Sequence, residues 1–303
     1  MLPSFGKPGP AGKTAIDDTA SIALPGSDLP KLKPAEFDEI RGLAKRRFGL
    51  DLRHGKEELV SARLSRAMRQ GRYRSFRDYI ASVENDHTGQ ELINLINALT
   101  TNHTSFYREP HHFDFLTNEV LPHFRAGSDL RIWCAASSTG EEPYTIACTV
   151  AQAWKGQVRG LRLLATDIST KVLEAARAGV YKPSSLDPAP PTWRHEYFVR
   201  MPDTEGSLRI RREIAAQVEF RRLNLIEPFP FQEKFHVVFC RNVMIYFDKQ
   251  TQESLVQRLA NHLEPGGYLF VGHSESLAGA NQPLEYLRPA IYCNDSRKRR
   301  TSR

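Results

Sequence analysis

Three short stretches hold side chains whose types and spacing could bind or transform a ligand. The first is AASSTGEEPY, residues 135–144, a run of small residues that ends in two acids. Small side chains let backbone approach a ligand closely, and Gly140 can adopt a positive φ. The run has neither GxGxxG nor a Walker lysine, which argues against a conventional dinucleotide or ATP site. The second is LRLLAT followed by Asp167, 25 residues beyond Glu142. An acid at a strand end after such a loop is placed to accept hydrogen bonds from ribose hydroxyls. The alternative is that Asp167 caps a helix beginning near Ser169. The third is VVFC running into RNVMIYF, residues 241–247.

Other chemistry is less well supported. No Ser-His-Asp arrangement or convincing carboxylate pair stands out. His111 and His112 are adjacent and cannot both face one metal from a helix, and HExxH is absent, so no metal is predicted. His273 and Glu275 follow a strand, where a loop hydrogen-bond network explains them at least as well as a site. Cys134, Cys148, Cys240 and Cys293 lie far apart with no CxxC pair, which predicts reduced thiols.

These loops need a frame that gathers them. LRIWCAA, EEPYTIACTVAQAW, LRLLATD and TKVLEAARAG alternate strand and helix signals, as do FHVVFC, KQTQESLVQRLANHL and GGYLFVG. That alternation predicts βαβ units and a mainly parallel sheet, an α/β fold. Ligands bind such sheets beyond the carboxyl ends of the strands. The helix, the Pro265-Gly266-Gly267 turn and the apolar strand after it suggest a Rossmann-like S-adenosylmethionine-dependent methyltransferase sheet. YKPSSLDPAPP and FVRMPDTEGSLRIRREI break the alternation and predict a small antiparallel insertion, set at about residues 181–223, with its hairpin at 197–223. Upstream, Phe37, Ile40, Leu43 and Ala44 share helical spacing, as do Val60, Leu64, Ala67 and Met68, and then Leu92 to Leu99. Residues 35–100 are therefore read as an all-helical N-terminal domain and 101–293 as the α/β domain. Residues 1–34, rich in Pro and Gly, are expected to be a disordered leader without an apolar signal region, and 294–303 a basic disordered tail.

TTNHTSFYREPHHF, STGEEPYTIA, ATDIS, CRNVMIYFDK and GHSES occur in this order over residues 100–276. In these motifs the sequence resembles the chemotaxis receptor methyltransferase (CheR) family, over about residues 35–293. The resemblance implies a protein-glutamate O-methyltransferase that uses S-adenosyl-L-methionine, releases S-adenosyl-L-homocysteine and acts on the cytoplasmic helices of bacterial chemoreceptors. Carried over by motif, the cofactor site comprises Asn102, Thr104, Arg108, Glu142, Asp167, Asn224, Leu225, Cys240 and Arg241. Asp167 would meet the ribose, Asn224 the adenine edge and Glu142 the ammonium group; Cys240 would serve through packing or its backbone. The alternatives are that Glu142 caps a helix at Pro143 and that Arg241 makes a surface ion pair. Arg108 and Tyr246 are expected nearest the transferred methyl, holding and orienting the incoming carboxylate. In some members the inserted hairpin takes up a receptor tail peptide as an added strand. Here the loop RMPDTEGS has one glycine, Gly206, and Pro202 removes a backbone donor, so tail-independent action is expected.

Composition limits the remaining possibilities. The 303 residues are 40% hydrophobic and 25% charged, long enough for a sizeable core, and no stretch is apolar enough to span a bilayer. A cytoplasmic monomer without membrane insertion is expected. The net charge of +7 includes five cations in RKRRTSR at the end, so the body is nearly balanced and a nucleic-acid partner is not expected. A nucleic-acid methyltransferase would place Asn or Asp before Pro-Pro-aromatic, or a Pro-Cys nucleophile, where this chain reads RNVMIY. Arg63, Arg66 and Arg69 fan over one side of a helix, either as a solvated face or as a docking surface for the receptor's glutamate-bearing helix.

Overall fold

The structure, a computed structural model, describes residues 31–100, 102–202, 206–277 and 283–294. Most of the expected leader, and the tail beyond Asn294, lie outside the described residues. Asn294 itself is a buried staple. Its amide donates to the carbonyls of Ala260, Leu263 and Glu264, so the ordered domain runs one residue past the expected boundary.

Four helices form the N-terminal domain: α1 (Pro34–Phe48), α2 (Glu57–Gln70), α3 (Phe76–Asn85) and α4 (Gln90–Leu99). Pro34 opens α1, Glu36 accepts from the Lys33 N–H at 2.9 Å, and Gly49 ends the helix at φ 74°. A Cβ on Gly49 would lie 2.6 Å from Ile226, so this turn also sets how closely the helices approach the α/β domain. The apolar faces Phe37, Ile40, Leu43, Val60, Leu64 and Met68 are buried, as their spacing predicts.

The second domain contains α5 (His111–Phe115), β1 (Leu130–Cys134), α6 (Glu141–Ala153), β2 (Leu161–Asp167) and α7 (Thr170–Ala178). The insertion follows as β3 (Val180–Tyr181), α8 (Trp193–Glu196), β4 (Phe198–Arg200), β5 (Leu208–Ile210) and α9 (Arg212–Ala215). The chain then adds β6 (Val218–Arg222), β7 (Phe235–Cys240), α10 (Lys249–Asn261), β8 (Leu263–Val271), β9 (Glu285–Arg288) and β10 (Ile291–Cys293). The main sheet has the order β6-β2-β1-β7-β8-β10-β9. Its strands are parallel from β6 to β8 and antiparallel at β10 and β9. The insertion is a separate antiparallel sheet, β3-β5-β4.

The expected hairpin at 197–223 is thus too long. Residues 218–222 are a parallel strand of the main sheet, with Leu163 opposite Val218 and Asp167 opposite Arg222. VEFRR is short and half polar because β6 lies at the sheet edge, a pattern that looks like a hairpin arm in sequence. Loop residues 203–205 lie outside the described residues.

The two faces of the sheet pack differently. One shares a continuous core with the helical domain, from Phe37 and Leu64 through Trp133 and Val238 to Leu255. The other packs against α5, α6 and the insertion around Phe106, Ile146, Trp193 and Phe239. Strand order reverses between β1 and β7, which pair directly. The loops at their carboxyl ends diverge and leave a cleft.

Candidate active site

The cleft encloses about 860 Å³, including its open mouth. Ala135, Ala136 and Ser138 form one wall after β1. Ser138 stands at φ 47° and donates its N–H to Asp167 Oδ2 at 2.9 Å. Gly140, at φ 98°, closes the loop onto α7; a Cβ there would lie 2.6 Å from the Tyr181 hydroxyl and 3.1 Å from the Ala176 backbone. The small-residue run is therefore required by close backbone packing as well as by room for a ligand.

Asp167 lies at the end of β2. Its Oδ1 accepts from the Ser169 N–H at 3.0 Å, so each carboxylate oxygen holds one backbone donor and keeps lone pairs for the cleft. Burial pushes its pKa up, and the backbone donors oppose this only in part. The true N-cap of α7 is Ser169, which accepts from the Val172 N–H at 3.3 Å. Asp167 is thus not the cap of that helix.

Arg241 is the hub of the cleft. Its side chain is fully buried, with Nη1 on Glu142 Oε2 at 2.5 Å and Nη2 on Glu109 Oε2 at 2.9 Å and the Arg108 carbonyl at 2.6 Å. Burial works against its charge, but the two carboxylates outweigh it and leave the pKa above the usual arginine value. For Glu109 burial pushes upward, and Arg241 wins, holding the carboxyl below its ordinary value. The surface ion-pair reading of Arg241 fails. The capping reading of Glu142 fails too: Gly140 is the N-cap, and Glu142 receives Arg241 and the Cys134 thiol instead.

Glu275 pins the segment that carries Arg241 and Tyr246. Its oxygens accept backbone N–H groups from Asn242 at 2.8 Å, Met244 at 2.7 Å, Ile245 at 3.3 Å and Gly272 at 2.6 Å. The loop-network reading of Glu275 holds. A Cβ on Gly272 would press within 2.9 Å of both the Asn242 N atom and Glu275 Oε2, which explains a glycine there.

The helical domain completes the cleft with Phe48, Leu50, Ile96 and Thr100. It is tied to the β7 loop by Asp51 N–H on the Tyr246 carbonyl at 2.8 Å and by the Leu50–Phe247 bridge. Asn224 donates its amide to the Arg47 carbonyl at 2.8 Å and to Glu227 at 2.9 Å. Both amide hydrogens are therefore engaged within the protein, and Oδ1 accepts from the Ile226 N–H at 3.4 Å, leaving its second lone pair and backbone groups for an adenine edge.

The structure brings Asn102, Thr104, Arg108, Glu142, Asp167, Asn224, Leu225, Arg241 and Tyr246 onto one cleft wall system. Cys240 is not among the lining residues. It is buried in the core, where burial pushes its thiol pKa up, so any role is through packing or its backbone. Arg66 and Arg69 are exposed, whereas Arg63 is half-buried and donates to the Leu99 carbonyl at the end of α4 at 2.7 Å. Sequence reasoning missed Glu109, whose only signal was its place beside Arg108 in FYREP. It also missed Ser138, Asn242 and the convergence of His273 on His111 and His112. Burial, with Arg241 nearby, pushes the His112 pKa down to about 2.

Comparison with known proteins agrees with this architecture. Residues 35–100 match the model of the CheR methyltransferase all-alpha domain, and 102–293 that of the CheR methyltransferase SAM binding domain. The chain is 40% identical to a chemotaxis protein methyltransferase of Salmonella typhimurium, covering 93% of this chain and 96% of the relative. One from Escherichia coli is 38% identical over the same shares, and one from Borreliella burgdorferi is 38% identical over 84% of this chain and 93% of the relative. With both domains matched in order and the cleft lying at their junction, the chain belongs to the CheR family of S-adenosylmethionine-dependent methyltransferases.

Proposed function

We propose that this cleft transfers a methyl group from S-adenosylmethionine to glutamate side chains of bacterial chemoreceptors, giving glutamate methyl esters. The observation that carries the reading is the meeting of Arg108 and Tyr246, far apart in sequence, on the same cleft as Asp167 and Glu142. The donor set suits the cofactor. Asp167 retains acceptor capacity for two ribose hydroxyls, Glu142 is a carboxylate for the ammonium group, and Ala135 and Ala136 leave room. The bound cofactor supplies an electrophilic methyl carbon on a sulfonium.

The protein's remaining work is positioning. A glutamate side chain has a pKa of about 4.3, so at neutral pH the nucleophile is already ionised and no general base is required. Arg108, held by Nη1 on the His103 carbonyl at 3.0 Å, would orient the incoming carboxylate, and the Tyr246 phenol would direct one oxygen. The apolar patch of Phe48, Leu50 and Ile96 would strip part of its water. Over-tight pairing by Arg108 would weaken the nucleophile, so its task is orientation. Arg66 and Arg69 are the docking cations in this reading, with Arg63 supporting the helix end. The protein acts as a monomer in the cytoplasm on the receptor's cytoplasmic helices. No helix among the described residues is long and apolar enough to cross a membrane.

The test is methylation of purified receptor with methyl-labelled S-adenosylmethionine. Carboxyl methyl esters release their label as methanol in mild alkali. Label that resists alkali, or no transfer at all, would refute the assignment.

A further inference from the structure

Outside the methyl-transfer cleft, three imidazoles converge. His111 and His112 open α5, and His273 follows β8. The His111 ring centre lies 4.1 Å from that of His112 and 4.2 Å from that of His273. His111 and His273 share an Nε2···Nε2 hydrogen bond of 2.7 Å, which a shared cation would replace, and one nitrogen from each of the three rings falls within a common 4.8 Å. Adjacent histidines inside a helix could not share a metal, but these two stand at its first turn. They sit at the helix start with their rings tilted by 50°, and a third element supplies His273.

His112 is the second, independent observation. It is fully buried, and neither ring nitrogen has a hydrogen-bond partner. Glu109 Oε2 lies 3.5 Å from its Nδ1. A buried imidazole with both nitrogens unsatisfied is costly, and an ion is one of the few things that satisfies it. We propose that His111, His112 and His273 form a binding site for a divalent cation of the zinc class.

The geometry and charge suit this ligand. Zinc–nitrogen bonds of about 2.0–2.1 Å put tetrahedral ligand nitrogens ~3.3 Å apart, so the close pair spreads slightly and the third ring moves in. Imidazoles favour zinc, cobalt, nickel and copper over magnesium or calcium, which prefer oxygen. Arg241 opposes a nearby cation, but Glu109 and Glu142 more than neutralise it and leave the local network with one net negative charge. His273 is exposed, so the fourth position is open to solvent. Occupancy would clip the loop after β8 to α5, on either side of the Arg241 network.

The experiment uses the full, tag-free chain and Co²⁺ as the probe. Titration should give the visible d–d absorption of imidazole-bound Co²⁺ at one equivalent, displaced by Zn²⁺. His273→Ala and His111→Ala, both at accessible positions, should lose the band while retaining the wild-type circular dichroism. Absence of the band in the wild type, or its persistence in His273→Ala, would overturn the site. Neither result depends on methyl transfer.

Discussion

Two arginine-rich regions of the molecule use the same side chain in opposite ways. Arg241 is fully buried between Glu109 and Glu142, while Arg66 and Arg69 lie exposed on α2. A buried charge is tolerable only with good partners, so it fixes geometry and makes each partner indispensable. An exposed charge is screened, holds no shape, and acts chiefly on the rate of encounter. In the proposed reading the cleft would hold its cofactor-facing groups rigidly, and the helical domain would address a large charged partner from a distance. Arg63 stands between the two modes, half-buried on the Leu99 carbonyl.

The contrast breaks most sharply at its buried end. Arg241→Met leaves two carboxylates without their cation and should cost about 3–5 kcal/mol of stability, read as a fall in the urea midpoint. Because Arg241 holds Glu109 below its ordinary pKa, that stabilisation is full at neutral pH and is lost as pH falls through the depressed value. The variant should lack this acid limb. A neutral-pH midpoint equal to wild type would contradict a tightly paired hub.

Asp167→Ala should weaken cofactor binding by about 1.5–3 kcal/mol, since a charged acceptor is lost. Burial raises the Asp167 pKa, so the ionised form disappears on acidification before that of an ordinary aspartate does. Cofactor affinity should therefore start to fall at a higher pH than an ordinary aspartate would set, and Asp167→Asn should flatten the profile. Glu275→Gln tests the pinned loop and should lower kcat by roughly tenfold with less change in KM, through misplacement of Arg241 and Tyr246. An equal change in both parameters would point to general loosening.

At the exposed end, Arg66→Ala with Arg69→Ala should raise the receptor KM a few-fold at low salt and converge with wild type at high salt. The smallest effect belongs to the insertion. Its edge strand β4 has three residues, and a receptor tail peptide should bind weakly or not at all. Micromolar binding by calorimetry would show otherwise.

The parallel sheet, the helical domain and the strand-end part of the cleft were legible because apolar periodicity and strand-end residues carry them directly, whereas Asn102, Thr104, Arg108, Asn224, Leu225 and Tyr246 were placed only by the family resemblance. Asp167 could be read because its place follows from strand order. β6 could not, since VEFRR at an edge alternates no differently from a hairpin arm, and only pairing with β2 distinguishes them. The partners of Arg241 were hidden for a different reason. Glu109 and Glu142 reach it across more than 90 residues of chain, and nothing in local sequence records which acid meets which cation. The Arg47 carbonyl that takes up the Asn224 amide is likewise 177 residues away in sequence.

The central claim is that cofactor and receptor are handled by separate charge systems. Steady-state kinetics with purified receptor at low ionic strength, varying each substrate in turn, test it most directly. Asp167→Ala should raise KM for S-adenosylmethionine and leave the receptor KM in place, while the Arg66/Arg69 double variant does the reverse. A variant that shifts both constants together, or shifts the wrong one, would contradict the account.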